Sequence, residues 1–434
     1  MDILVLVLLI ALATISLFYI YYYARYMAGV QRRVRHQKYH RFRWAEHPDT
    51  PLDSSPNPAL SPQDGLSTLS VSGLSNIPSP PVSVIVCARN EADNLRHFLQ
   101  ALCCQKYPVF EVIVVNDGSE DQTQTVLEHY TQLFRNLRLT FVPNDAWVRS
   151  SKKLALTLAA KAAKYDYLLL TDADCRPESP YWIEEMMRGF SDPETEVVIG
   201  YGGYFEEPTA INRLVQYDTV TRAMTYLGFA LSGHPYMGVG RNLAYKKSTF
   251  FANNGFAGQL GQRAGDDDLF VNKVANRDNT EVVLTPNSYT WSIPKRTYAE
   301  WRLQKYRHLS VSPAYRNATK WRLATEPVVR ALLYLVLIAS ALFAFVPNSA
   351  LSASGSPLGV STLSVSGLST IFLVALAVWL ARLIWLNLLV NRAARIFGVH
   401  GFCFGILRYD IFLPLFDLAM LIRHHFRRKK EQHW

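Results

Sequence analysis

Apolar and polar positions alternate in two different ways along this chain, and the change of pattern divides it. Met1 to Tyr23 is apolar apart from Asp2 and a few hydroxyls. It is long enough to cross a bilayer core of about 30 Å as a helix. With neither a basic amino-terminal region nor a small-residue cleavage site, segment 1–24 reads as an anchor and not as a signal peptide. Tyr19, Tyr21, Tyr22 and Tyr23 make an aromatic belt at its exit. From Val82 onward the apolar runs become short and β-branched. Val82–Cys87, Phe110–Val115, Leu139–Val142 and Tyr165–Leu170 read as strands, and Ala92–Gln105 and Ser151–Lys164 as helices. Ser119 followed by Gln122 reads as a capping box opening another helix. Strand–helix alternation predicts an α/β domain with a parallel, right-handedly wound sheet. Gly200–Phe205 reads as a further strand. Thr297 and Glu300 form a second capping box, leading into Trp301–His308.

Long apolar runs return at Val328–Val346 and Ile371–Val390, the second and third predicted spans. Arg330 is expected to snorkel to the interface, and Arg382 lies toward the inner half of its span. Phe402–Ile422 interrupts its apolar pattern with Arg408, Asp410, Pro414 and Asp417. It is expected to lie in the membrane plane or to form a re-entrant hairpin.

Charge sets the orientation. The chain has 434 residues and a formal net charge of +10. Arg25, Arg32, Arg33, Arg35, Lys38, Arg41 and Arg43 follow the first span, and Arg423, Arg427, Arg428, Lys429 and Lys430 mark a basic tail, 423–434. Flanking apolar segments, these clusters suit anionic headgroups, and the positive-inside rule puts the domain in the cytosol. No nucleic-acid motif accompanies the charge, which argues against nucleic acid as a partner. The cysteines Cys87, Cys103, Cys104, Cys175 and Cys403 form no C-x-x-C pair, as expected of reduced thiols. Segment 25–81 is basic at first and then, from Glu46 to Pro81, a Pro- and Ser-rich linker. Ser67–Ser75 recurs identically as Ser361–Ser369, both copies in expected connecting segments. A duplicated stretch of coding sequence explains this without a function.

The chemistry gathers where strands end. Asp172 and Asp174 follow the Tyr165–Leu170 run, at the strand edge where open α/β sheets bind ligands. Paired carboxylates there are hard ligands, suited to Mg²⁺ or Mn²⁺ bridging a diphosphate. Together with Val82–Glu91 and with Val114-Val115-Asn116-Asp117-Gly118-Ser119, the Asp-Ala-Asp motif resembles the family 2 glycosyltransferases. The resemblance covers about residues 80–310. It is closest to membrane members such as the cellulose, hyaluronan and poly-N-acetylglucosamine synthases and the ceramide glucosyltransferases.

That resemblance implies a GT-A fold over 82–310 and a nucleotide-sugar donor. It implies that Ala88, Glu91 and Asp117 line the nucleoside pocket, with Lys152 and Lys153 near the donor or on a solvated helix face. Asp172 and Asp174 would hold a metal on the diphosphate. Gly240 and Asn242, in Gly238–Tyr245, would line the acceptor side of the donor sugar, a plain β-turn being the rival. In Gly265-Asp266-Asp267-Asp268-Leu269, alignment on Asp268-Leu269 puts the general base at Asp266, with Asp267 the alternative. Asp268 suits a helix amino terminus. Gln304 and Arg307 match the family's Gln-x-x-Arg, but His308 replaces its Trp, so processivity stays open. Trp301 reads equally as a donor-site or as an interfacial residue. The expected function is inverting, metal-dependent sugar transfer from a UDP-sugar to a lipid-linked or polysaccharide acceptor at the cytosolic face of the membrane. Transfer to polyprenyl phosphate, or a catalytically silent nucleotide-sugar-binding subunit, are the alternatives. A transporter is disfavoured, since the spans carry few polar residues.

Overall fold

The computed structural model describes residues 3–35, 79–142, 151–259, 264–344, 365–402 and 405–431. α1 (Ile3–Tyr22) runs through a short π-helical turn into α2 (Gly29–Arg35). The α/β domain begins with β1 (Val82–Ala88), α3 (Ala92–Cys103), β2 (Phe110–Asn116), α4 (Thr123–Leu133), β3 (Leu137–Phe141), α5 (Ser151–Ala162) and β4 (Tyr167–Asp172). It continues with β5 (Cys175–Pro177), α6 (Trp182–Met187), β6 (Val197–Ile199), β7 (Gly202–Tyr204), α7 (Ala210–Leu231), β8 (Leu243–Lys246) and α8 (Lys247–Ala252). Then come α9 (Asp268–Val274), β9 (Thr280–Val282), β10 (Thr290–Ser292) and α10 (Tyr298–Leu309). Three long helices follow, α11 (Asn317–Ala344), α12 (Val365–Ile396) and α13 (Ile406–Glu431).

The main sheet has seven strands in the order β3-β2-β1-β4-β8-β6-β9. Only β8 runs against the others. This is the mixed, mostly parallel sheet expected of a GT-A domain. The central strands are apolar on both faces, as strands covered on both sides must be. Val84, Val86, Val112, Val114 and Leu169 pack on one side with Leu95 and Leu99 of α3 and Ile183 of α6. Ile85, Ile113, Leu168 and Leu170 pack on the other with Ala155 and Ala159 of α5. That second cluster runs on without a break through α7 into the long apolar helices. A smaller sheet, β5-β10-β7, stands beside the main one.

Two expectations change at this level. Of the Gly200–Phe205 run only β7 (Gly202–Tyr204) is strand, and it joins the small sheet, while β6 (Val197–Ile199), just before the run, joins the main one. The Ser119–Gln122 capping box does not form. α4 opens at Thr123 with no side-chain cap, because the Ser119 hydroxyl accepts the Asn90 N–H across two loops. The Thr297–Glu300 box does form, on α10.

Segments Val5–Met27, Asn317–Leu342 and Ser369–Ile396 are long and apolar enough to cross a membrane. α7 lies tight against the first of them. A Cβ added at Gly228 would sit 2.0 Å from the Tyr26 carbonyl oxygen, so only glycine permits the crossing. Arg330 does not snorkel free. Its guanidinium meets Glu326 at 2.8 Å and Asp410 of α13 at 3.1 Å. Arg382 meets the same two carboxylates, Asp410 at 2.7 Å and Glu326 at 3.3 Å, and the Tyr334 hydroxyl donates to Asp410. A buried charge needs such pairing. α13 is one continuous helix across Pro414, not a hairpin. It buries Tyr409, Asp410, Leu413 and Phe416 while Leu407, Ile411, Leu415, Leu418 and Ile422 stay exposed. The linker 46–78 and the first copy of the repeat lie outside the described residues. The last residues of the second copy, 365–369, belong to the first turns of α12 and not to a connection.

Candidate active site

The strand ends gather the predicted residues at one edge. Parallel pairing sets Cys87 beside both Val115 and Asp172, and Ala88 beside Asn116. The Asp117 N–H donates to the Ala88 carbonyl at 2.8 Å, and both residues are buried. The loops after β1 and β2 are stitched together. Asn90 takes a left-handed conformation (φ 56°), its side-chain oxygen accepts the Glu120 N–H, and the Thr123 hydroxyl accepts the Glu91 N–H. Glu91 faces Asp174. Burial, and more weakly Asp174 itself, raise the Glu91 carboxyl against a hydrogen bond from Asn94.

Lys152, on the first turn of α5, ties the two acidic motifs together. Its ammonium lies 2.8 Å from Asp172 Oδ1 and 3.4 Å from Asp266 Oδ2. Burial opposes its charge, but Asp172 and Asp266 outweigh that and hold the ammonium well above its ordinary range. The cleft between them is lined by Cys87, Lys152, Asp172, Gly240, Asp266 and Asp267. Lys153 points elsewhere. Fully buried, it donates to the carbonyls of Gln259 and Ala264 and braces the loop before Gly265.

The three consecutive carboxylates have three different environments. Asp267 caps α9, accepting the Asp268 N–H at 2.8 Å and the Gly240 N–H at 2.7 Å. Burial and the neighbouring Asp266 push its carboxyl up to about 6. Asp268 turns inward and accepts from the Tyr315 hydroxyl at 3.0 Å, and burial with Asp267 raises it further. Asp266 is the one of the three whose carboxylate meets the Lys152 ammonium across the cleft.

Ligand atoms of Asp172, Asp174 and Cys175 lie within 4.8 Å of one another. Burial and Asp172 raise the Asp174 carboxyl, whereas Lys152, Arg241 and Arg307 outweigh burial at Asp172 and lower it. The Cys175 thiol, pushed well up by burial and by Asp174, sits 2.8 Å from the Ser292 hydroxyl. A protonated thiol is a poor ligand. The two carboxylates therefore fit a hard divalent cation without the sulfur.

The residues expected on the acceptor side separate. Gly240 stays at the cleft through Asp267. The Asn242 side chain does not reach it. Fully buried, Asn242 donates to the carbonyls of Tyr201 and Ser288 and accepts from the Trp182 indole, so it is a strut under the loop. Gln304 donates to the Tyr204 hydroxyl at 2.8 Å. Arg307 is exposed on the same helix, and its charge acts on Asp172. Trp301 turns away from the cleft and is buried against Phe412 and Phe416 of α13, ring centroids 6.5 and 4.9 Å off. One residue of the site is not assigned from the sequence. Arg241 stands between Gly240 and Asn242 with its guanidinium 4.2 Å above the Tyr204 ring. The available signal was a single charge inside the glycine-rich Gly238–Asn242 segment.

Residues 83–251, which hold both strand-end motifs, match the family model described as Glycosyl transferase family 2. This is a family 2 glycosyltransferase domain. Glycosyltransferase AglE of Haloferax volcanii is 28% identical over 144 residues, 33% of this chain and 45% of that protein. Poly-beta-1,6-N-acetyl-D-glucosamine synthase of Staphylococcus aureus is 30% identical over 27% of this chain and 28% of its own length. Chondroitin synthase of Escherichia coli is 24% identical over 47% and 26%. The chain thus spans less than half the length of these relatives. The mannosyltransferase PcManGT of Pyrobaculum calidifontis, in complex with GDP-Man and Mn²⁺, is similar in structure at 19% identity, covering 86% of this chain and 99% of that one with a TM-score of 0.48.

Proposed function

We propose that this glycosyltransferase domain moves a sugar, with inversion, from a nucleotide diphosphate sugar to a lipid-linked or polysaccharide acceptor at the cytosolic face of a membrane. The observation that carries the reading is Lys152, which holds the Asp172 and Asp266 carboxylates across one cleft. That spacing supports a general base and a diphosphate site within one sugar's reach. Asp117 and Ala88 would hold the nucleoside, and Asp172 and Asp174 a divalent cation, Mg²⁺ or Mn²⁺. When bound, that cation would neutralise diphosphate charge as a Lewis acid.

In this reading the acceptor hydroxyl attacks the anomeric carbon while Asp266 takes its proton. The bond from that carbon to the diphosphate oxygen breaks, and the electron pair leaves with the nucleotide. Asp267 has its oxygens engaged by two amides, which supports Asp266 as the base. Arg307 adds positive charge on the diphosphate side.

The three apolar helices support an integral membrane protein. The exposed stripe of α13 supports a helix lying in the membrane plane. With three candidate spans among the described residues, single transfers to a lipid-linked acceptor are favoured over export of a polymer. The test is nucleotide release and sugar transfer from a panel of nucleotide sugars by the solubilised full chain, with Mg²⁺ or Mn²⁺ and then with excess chelator. Metal-dependent release from one donor is expected, UDP-sugars foremost. Tight nucleotide binding without release from any donor, in the presence of membrane lipids, would sink the catalytic reading.

A further inference from the structure

We infer that Arg241 is a ligand of the donor's diphosphate and takes up the charge of the departing nucleotide. The inference rests on the glycosyltransferase reading above and adds a residue to it.

Four observations converge on this side chain. Its neighbours in the chain are both fixed, Gly240 by the Asp267 carboxylate and Asn242 by the three hydrogen bonds of its buried side chain. The Thr290 hydroxyl also holds the Arg241 carbonyl at 3.0 Å. Its guanidinium is stacked on Tyr204, whose hydroxyl is in turn held by Gln304. Space is kept for it: a Cβ at Gly202 would lie 2.6 Å from its Cγ and its Nε.

The fourth observation concerns what it lacks. Its Nε is buried without an acceptor, and among the described residues Arg241 forms no salt bridge. Its charge nevertheless lowers both Asp172 and Asp174. A buried N–H normally has a partner, and one left without costs free energy. A stacked guanidinium whose Nε lacks an acceptor, and whose charge reaches both Asp172 and Asp174, suits a diphosphate, which offers paired oxygens to its planar fork. When the acceptor oxygen bonds to the anomeric carbon, the bond to the distal phosphate oxygen breaks and that oxygen gains the electron pair. Arg241 would meet that growing negative charge, while the proton leaves the other way to Asp266.

The experiment titrates the full solubilised chain with UDP, UMP and uridine, and with the guanosine series in parallel, in excess chelator so that no metal contributes. Arg241→Gln should weaken the diphosphate about 10- to 100-fold, as loss of a hydrogen bond to a charged group does. Monophosphate and nucleoside affinity should hardly change. Arg241→Lys should recover only part, because an ammonium cannot bind bidentately. Gly202→Ala, which displaces the side chain but keeps its charge, should follow Arg241→Gln in direction. Unchanged diphosphate affinity in Arg241→Gln, or an equal loss of all three ligands, overturns the inference. A wild-type chain that binds no nucleotide even when Mg²⁺ or Mn²⁺ is restored removes the glycosyltransferase reading beneath it.

Discussion

Asp172-Ala173-Asp174 and Asp266-Asp267-Asp268 are both short acidic runs, yet the fold treats them differently. The first follows the carboxyl end of a central strand, so both carboxylates emerge at the sheet edge. The second opens a helix, where free amides compete for every oxygen within reach. There Asp267 is taken by backbone and Asp268 by Tyr315, which leaves Asp266 facing Lys152. The difference shows that a strand end presents charge, while a helix start sorts it. At this helix start the carboxylate that the cap does not need is the one that faces the cleft.

The contrast can be broken or sharpened by experiment. The largest effect is expected from Asp266→Asn, which should lower transfer about 10²- to 10⁴-fold, the usual share of a general base, with nucleotide binding retained. If Asp267→Asn gave that phenotype and Asp266→Asn did not, the assignment within the helix start would be reversed. Asp174→Ala should weaken metal-dependent nucleotide binding on the order of 100-fold, since a bound cation's electrostatic share is several kcal/mol. Equal affinity with and without chelator in the wild type would remove the strand-end pair from metal binding. Asp267→Ala leaves the Gly240 and Asp268 amides without acceptors and should cost about 1–3 kcal/mol of stability, seen as a lower thermal midpoint. Asp266→Ala should leave that midpoint nearly unchanged.

The smallest effect is a pH slope. The Asp267 carboxyl rises from 3.8 to about 6 on folding, so the folded chain holds that proton more tightly than the unfolded one. Its contribution is fully present below the unfolded value and is lost as pH rises through 6. Asp267→Asn should therefore flatten the thermal midpoint between these limits relative to wild type. Identical slopes would refute the shift.

Much of this was legible in sequence, because β-branched runs and the polar residues after them are local signals. β1, β2 and β4 and their terminal motifs fall close to where the pattern put them. What was not legible depends on partners far along the chain. Ser119 had a capping-box spacing, but its hydroxyl is used by Asn90. Asn242 sits in a loop that reads as acceptor-lining, yet carbonyls of Tyr201 and Ser288 draw it inward. Arg330 was a plausible snorkelling residue until α13 brought Asp410 to it. The division among Asp266, Asp267 and Asp268 is of the same kind, since neighbours in sequence carry identical local signals.

The charge cluster between the apolar helices also bears on how the chain is made. Glu326, Arg330 and Arg382 leave the ribosome before Asp410 does, and until α13 arrives two cations share one carboxylate. Before that point the chain carries an uncompensated positive charge among apolar helices, a state that is expensive to hold. The late helix therefore completes the pairing: only once Asp410 is in place does each of the two cations have a carboxylate of its own.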